Sequence, residues 1–244
     1  SLTNPSLTPI DLSLVQRVSQ EKNIPFIADM TFTPPYTTQG FDYGAYAIVH
    51  SLSKYLSGHN DVLGGAVITQ DKDLHQRLQC LQKTVGAELS PDECYRTIQG
   101  IKTLPMRWKH MSESAHKVAE YLSSHPKIQR VLYPGLPQNQ GHAIAQQQIK
   151  NGYGGVLSFE LATESQERIA NFVEKAQASR VITYAESLAS PETLLAYPYT
   201  MSHGSLSEEE KRTLGITRSF FRLSIGFEHP QDIISSLEEG LREI

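Results

Sequence analysis

A carboxylate, two hydroxyls and an amine follow two short apolar runs of the 244-residue sequence. Asp29 ends the first run, and Ser51, Ser53 and Lys54 follow the second. If the runs are neighbouring strands of an open α/β sheet, their carboxyl ends place these groups in one ligand-binding crevice. A carboxylate can pair with a pyridinium nitrogen, hydroxyls can bind phosphate, and a lysine can form a Schiff base, so the set suits pyridoxal phosphate (PLP). Spacing alone leaves open a solvated loop lysine and a helix-capping aspartate.

Helices and strands alternate in the surrounding pattern, which predicts an α/β fold. A helix is predicted over residues 8–19, and a long one from Pro105 to His125. Further helices are predicted at residues 165–177 and after Pro230. The apolar stripe of the first helix, expected to be buried, comprises Ile10, Leu14, Val15 and Val18. Strands are predicted at residues 24–28, 46–49, 63–68, 128–133, 155–161 and 219–226.

Composition excludes several classes of protein. Lys and Arg total 22 against 26 Asp and Glu, a net charge of -4, so we expect no nucleic-acid partner. No apolar run has membrane-spanning length, so no membrane association is expected. Cys80 and Cys94 cannot form a disulfide scaffold and indicate a reducing compartment, so we expect a cytoplasmic protein. No signal peptide opens the sequence, which starts at Ser1 without an initiator Met; we expect a processed, truncated or partial chain.

A series of ordered motifs resembles the Cys/Met-metabolism family of PLP enzymes, which includes cystathionine γ-lyase, γ-synthase, β-lyase and methionine γ-lyase. The matching stretches are residues 28–32, 50–65, 99–105, 133–137, 154–159, 185–188, 201–203 and 221–226. The resemblance implies the α/β fold type I of PLP enzymes, similar to aspartate aminotransferase. Residues 1–105 would be the C-terminal part of the large cofactor domain, and residues 106–244 the smaller C-terminal α/β domain.

The resemblance also implies how the cofactor is bound. Lys54 matches the lysine that forms the internal aldimine and later moves protons on the substrate. Asp29 matches the acid that pairs with the pyridine nitrogen and keeps the ring an electron sink. Thr31 matches the residue beneath the ring, and Ser51 and Ser53 match hydroxyls that bind the phosphate.

Five further residues are implied in binding. Asn4 matches an asparagine near the phenolic oxygen of the cofactor ring. Arg222 matches the arginine that clamps the substrate carboxylate, a task for which its forked guanidinium is suited. Ser187 and Leu188 match a segment that approaches the same carboxylate. Glu186 stands where γ-lyases and γ-synthases have a glutamate that can meet the distal ammonium of a substrate.

The sequence departs from the family pattern at several points. Met30 replaces a usual Asn, Gln99 a usual Arg, and Ala189-Ser190 a Gly-Gly pair that lies near the substrate. The N-terminal third of the family is missing from the sequence. In the family that third supplies an aromatic ring stacked on the cofactor, a phosphate-binding turn, and a Tyr and an Arg for a neighbouring subunit.

The resemblance implies a PLP-dependent C–S lyase or γ-replacement enzyme acting on cystathionine-like, sulfur-containing amino acids. Cystathionine β-lyase or methionine γ-lyase activity is the chemical alternative, and a catalytically incomplete fragment with a structural or assembly role is the other. A homotetramer built from two dimers is implied as well. No metal site is expected, because His50, His59 and Asp61 fit no zinc motif.

Overall fold

Two β-sheets and seven helices make up the computed structural model, which describes all 244 residues. The helices are α1 Leu12–Lys22, α2 Lys72–Val85, α3 Pro91–Ser124, α4 His142–Gln148, α5 Gln166–Ala178, α6 Glu208–Thr213 and α7 Pro230–Leu241. The strands are β1 Ile27–Asp29, β2 Ala47–Ser51, β3 Gly65–Thr69, β4 Ile128–Leu132, β5 Val156–Leu161, β6 Ile182–Tyr184, β7 Thr193–Ala196 and β8 Phe220–Ser224. The predicted α/β class is confirmed, and no helix has the length and apolar character needed to cross a membrane.

The two sheets differ in their pairing. The smaller sheet has the order β1-β2-β3, with β1 parallel to β2 and β3 antiparallel to β2. The larger sheet has the order β4-β5-β8-β7-β6, in which only β6 and β7 pair in parallel. Because β1 and β2 are parallel neighbours, their carboxyl ends meet at one edge, as the sequence predicts for Asp29 and Lys54.

The long helix α3 begins earlier than predicted. It starts at Pro91 behind a capping box formed by Ser90 and Glu93, and it continues through Pro105 to Ser124. The expected start after Pro105 is therefore wrong, because the cap and the proline at the first turn set the start fourteen residues earlier. The division into domains at residue 105 stays a prediction, and that residue lies inside α3.

Helix α1 also differs from expectation. It begins at Leu12, because the side chain of Asp11, rather than Thr8, accepts the capping hydrogen bond from the Leu14 backbone at 3.0 Å. The predicted buried stripe is largely exposed, with exposed fractions of 39% for Ile10, 45% for Leu14 and 46% for Val18. Leu12 packs into the small core beside β1 and β2 instead.

The small sheet is open at both edges. Neither β1 nor β3 has a second strand partner, and β3 and α2 expose large apolar side chains. Their exposed fractions are 86% for Leu63 just before β3, 50% for Val67, 58% for Leu81 and 73% for Val85. A contiguous apolar surface next to unpaired strand edges is typical of a region that another polypeptide segment covers.

A buried core anchors the turn that follows β2 to the rest of the molecule. The rings of Tyr55 and Trp108 meet edge to face, with centroids 4.9 Å apart. The Tyr55 hydroxyl accepts a hydrogen bond of 2.9 Å from the backbone of Gly155, which precedes β5. Arg107 donates to the carbonyl oxygens of Tyr55 and Gly100 at 2.9 and 2.7 Å, so α3 holds this turn directly.

Gly100 is where α3 approaches the turn most closely. A Cβ atom placed there would lie 2.2 Å from the backbone oxygen of Ser57. We expect Gly100→Ala to lower the free energy of unfolding by about 2 kcal/mol, since overpacking outweighs the better helix propensity of alanine. Denaturant unfolding measures this change, and Ile101→Ala on the exposed side of α3 is the control. Equal stability of Gly100→Ala and wild type would contradict the close packing.

Candidate active site

Lys54 lies in the tight turn of residues Leu52–Leu56, immediately after β2. The turn is kinked at Lys54, whose backbone angles, φ −105° and ψ −131°, are not helical. The half-buried side chain donates a hydrogen bond of 2.8 Å from Nζ to the Ser187 hydroxyl. Two residues predicted from distant parts of the sequence are thus in contact.

The surroundings of Lys54 lower the pKa of its amine. Burial lowers the pKa of Lys54 first, and the Arg222 guanidinium lowers it further, while the Glu186 carboxylate opposes both. An amine with a lowered pKa is a better nucleophile and a better base near neutral pH. The structure therefore places Lys54, Arg222 and Glu186 in one electrostatic site, with Glu186 exposed at its rim.

Arg222 lies on β8 and is 5% exposed. Its Nη1 donates to Asn4 Oδ1 and its Nη2 to the Ser187 carbonyl oxygen, both at 2.9 Å. The Nε–H is buried without a partner in the protein. A buried guanidinium with a free donor is suited to an anionic group such as a carboxylate. The structure places Asn4 beside this arginine.

Asp29, Thr31 and Ser51 form a second group at the ends of β1 and β2. The Thr31 backbone donates to Asp29 Oδ1 at 2.8 Å, and the Ser51 backbone donates to the Thr31 hydroxyl at 2.9 Å. The Asp29 carboxylate stays exposed, so it is open to a ligand. No hydrogen bond joins this group to Lys54; the two groups are linked through the turn after β2.

The remaining two predicted residues have structural contacts. Ser53 Oγ accepts a hydrogen bond of 3.0 Å from the backbone of Gly64, which ties the Lys54 turn to the loop before β3. Leu188 is buried and packs into the same core as Tyr55 and Trp108. Their roles toward a phosphate and a substrate stay predictions.

Some residues that support the site were missed by sequence reasoning. Ser224 accepts a hydrogen bond of 2.8 Å from the backbone of Ala189, and Glu228 accepts two from Thr193. Ser224 lies two residues after Arg222 on β8 and hence on the same face of the sheet, a spacing that could have identified it. Nothing in the local pattern around Glu228 points to its contact.

The donor set fits PLP. The Lys54 amine on the turn after β2 can react with the aldehyde, the exposed carboxylate at the end of β1 can pair with the ring nitrogen, and the nearby hydroxyls can bind the phosphate. The buried guanidinium of Arg222, with one donor unpartnered, is the candidate group for binding a substrate carboxylate. The residues that would hold the cofactor are Lys54, Asp29, Thr31, Ser51, Ser53 and Asn4, and these assignments stay predictions.

Comparison with curated proteins gives several similar relatives. The chain is 38% identical over 242 residues to a cystathionine β-lyase of Coxiella burnetii, covering 99% of this chain and 61% of the relative. It is 36% identical to a cystathionine γ-lyase of Bacillus subtilis, of which it covers 62%. It is also 39% identical to an L-methionine γ-lyase of Fusobacterium nucleatum, of which it covers 60%. The chain thus spans about three fifths of the length of these relatives, and their activities differ.

Solved structures are also similar to this chain over nearly its whole length. A cystathionine γ-synthase of Xanthomonas oryzae, in complex with aminoacrylate and cysteine, superposes with a TM-score of 0.93 at 36% identity, covering 99% of this chain and 61% of that one. A cystathionine γ-lyase of Lactobacillus plantarum, complexed with L-serine, gives 0.91 at 37% identity, with 99% and 62% covered. The predicted fold type I is confirmed. A sequence model of the Cys/Met metabolism PLP-dependent enzymes matches residues 1–242, and the chain therefore belongs to this family.

Proposed function

We propose that the protein carrying this chain is a PLP-dependent C–S lyase or γ-replacement enzyme acting on cystathionine-like amino acids. The observation that carries the proposal is the 2.8 Å hydrogen bond between Lys54 Nζ and Ser187 Oγ. It brings a lysine of lowered pKa to the segment next to Arg222, an arginine suited to an α-carboxylate. Glu186, exposed at the rim, favours a substrate with a distal ammonium group.

Each residue has a distinct task in the proposed reaction. PLP, when bound, supplies the electron sink that makes the α-proton of an amino acid acidic. Arg222 binds the α-carboxylate and fixes the orientation of the substrate, while Asp29 stabilises positive charge on the cofactor ring nitrogen. The Lys54 amine removes the α-proton. For γ-chemistry a second proton leaves the β-carbon before the γ-substituent departs, and Lys54 is the base for this transfer too once it has given the first proton to the bound cofactor.

Product analysis with L-cystathionine separates the alternatives. The full-length protein loaded with PLP is expected to release cysteine, 2-oxobutanoate and ammonia by γ-elimination, with water consumed. Homocysteine and pyruvate would instead support β-elimination, and methanethiol from methionine would support methionine γ-lyase activity. Formation of cystathionine from cysteine and an O-acylhomoserine would support γ-replacement. Absence of every product with cofactor bound would overturn the proposal.

A non-catalytic role in assembly is the second candidate, and the open small sheet favours it. The unpaired edges of β1 and β3 and the apolar surface on β3 and α2 need a covering segment. A homotetramer and a cytoplasmic location belong to the catalytic proposal. Full turnover by a homogeneous protein whose intact mass equals that of these 244 residues would exclude the assembly role.

The charge of Glu186 gives a pH-dependent prediction. Its carboxylate favours the ammonium form of Lys54, so Glu186→Gln is expected to lower the pKa of Lys54 further. The measurement is the pH dependence of Lys54 acylation by acetic anhydride in cofactor-free protein, followed by peptide mass spectrometry. The midpoint should move to lower pH in Glu186→Gln and stay unchanged in Glu192→Gln, an exposed glutamate nearby. A midpoint that rises or does not move would place Glu186 outside the site.

A further inference from the structure

The carboxylate of Glu228, which lies one residue before the N-cap of α7, accepts two hydrogen bonds from a residue near the candidate active site. Its Oε1 accepts a hydrogen bond of 2.8 Å from the Thr193 backbone N–H, and its Oε2 accepts one of 2.7 Å from the Thr193 hydroxyl. Thr193 is fully buried. A paired contact of this kind between a carboxylate and two donors is stronger than neutral hydrogen bonds and fixes geometry.

Thr193 ends the segment of residues 187–193, here named the carboxylate segment. Its hydroxyl accepts a hydrogen bond of 2.9 Å from the Gly226 backbone, and the Phe227 backbone donates to the Pro191 carbonyl oxygen at 2.7 Å. A Cβ atom on Gly226 would lie only 2.1 Å from that oxygen. The segment is therefore pressed directly against the chain that leaves β8.

The other end of the carboxylate segment is bound to Arg222 and its strand. The Arg222 guanidinium donates to the Ser187 carbonyl oxygen at 2.9 Å, and the Ala189 backbone donates to Ser224 Oγ at 2.8 Å. Ser187 and Ala189 have φ values of 82° and 62°, in the left-handed region that non-glycine residues rarely adopt. A strained segment keeps such a conformation only where its surroundings hold it.

We infer that Glu228 is a positioning residue that holds the carboxylate segment against β8 and so sets the distance between Ser187 and Arg222. Its effect would be selective for ligands with a free α-carboxylate, because the proposed function assigns that group to those two residues. The inference rests on the proposed function. The competing interpretation is that Glu228 only stabilises the start of α7, whose N-cap is the next residue, His229.

Equilibrium binding to the full-length holoenzyme separates the two interpretations. The probes are L-alanine and L-alaninamide, which differ in the carboxylate and have no leaving group, and binding is followed by the cofactor absorbance. Wild type should bind L-alanine at least about 10-fold more tightly than L-alaninamide, since the carboxylate meets a charged, forked donor. In Glu228→Gln, where the amide nitrogen cannot accept a hydrogen bond, the preference should fall to about 3-fold or less.

Matched variants check the path of the effect. Thr193→Val loses the hydroxyl and should behave like Glu228→Gln, whereas Thr193→Ser keeps both donors and should keep the wild-type preference. Glu192→Gln, an exposed change in the same segment, should also leave it unchanged. If Glu228→Gln does not fold, the Thr193→Val and Thr193→Ser pair decides the question.

Each result has one meaning. A loss of carboxylate preference in Glu228→Gln and Thr193→Val, but not in Thr193→Ser, supports the inference. A lower melting temperature with unchanged preference in both would show that Glu228 only stabilises α7 and would overturn it. A wild-type protein that neither binds PLP nor prefers the carboxylate would overturn the proposed function, and the inference with it.

Discussion

Lys54→Ala is expected to lower kcat/KM by about 1,000-fold or more, because in the proposed reaction one amine serves as both the attachment point of the cofactor and the proton carrier. The variant should still bind PLP through Asp29 and the hydroxyls, but borohydride should no longer fix the cofactor to the chain. Peptide mass spectrometry locates the adduct, and steady-state kinetics with cystathionine measure the rate. Wild type should carry the reduced adduct on Lys54 alone.

Three comparisons make the result specific to the Lys54 amine. Lys102→Ala, an exposed change on α3, should retain wild-type turnover and the adduct on Lys54. Lys54→Arg should be as inactive as Lys54→Ala, since a guanidinium stays protonated and cannot act as the base. A small primary amine added to Lys54→Ala should restore part of the rate. Full turnover and a borohydride adduct in Lys54→Ala would place the chemistry on another residue.

The strands that position the candidate site could be predicted because their apolar runs are too short for helices and end at polar residues. β1 and β2 appear within a few residues of the predicted runs, and their parallel pairing meets at the predicted edge. The start of α3 was misplaced at Pro105, because a proline also signals a helix start. The capping box of Ser90 and Glu93 could have located the true start, whereas the passage of the helix through Pro105 is shown only by the structure. The stripe of α1 was misassigned because apolar periodicity shows which face is apolar, not whether anything covers it.

The candidate site, like the fold, contains residues that could be predicted from sequence and others that could not. Lys54, Ser187 and Arg222 are far apart in the sequence. Their residue types and the family resemblance nevertheless predict that they belong to one site. The left-handed φ of Ser187 could not be foreseen, because serine does not favour it, whereas the glycine that the family has in place of Ala189 could have indicated the second one. The hydrogen bonds between Glu228 and Thr193 could not be foreseen either, because they depend on a close approach of two distant parts of the chain. It is therefore easier to predict the chemically reactive residues from sequence than the residues that hold them in position.

The second large effect is expected for Arg222→Lys, because a lysine keeps the charge but loses the fork. The guanidinium donates hydrogen bonds from Nη1 to Asn4 and from Nη2 to the Ser187 carbonyl oxygen, and its Nε–H has no partner in the protein. A charge-assisted hydrogen bond contributes about 1.5–3 kcal/mol, and each 1.4 kcal/mol is tenfold in affinity. Losing one bond to the substrate should therefore raise KM for cystathionine about 10- to 100-fold, with kcat reduced much less.

Steady-state kinetics of the full-length holoenzyme measure the split between KM and kcat, and the cofactor absorbance shows that the variant still binds PLP. Arg218→Lys is the matched control, since Arg218 lies four residues earlier on the same segment and is about half exposed. Its KM should equal that of wild type. If Arg222→Lys left KM unchanged and lowered only kcat, the guanidinium would act on the reacting atoms rather than on the carboxylate. That outcome would also contradict the inference that the carboxylate segment must be held at a fixed distance from Arg222 for carboxylate binding.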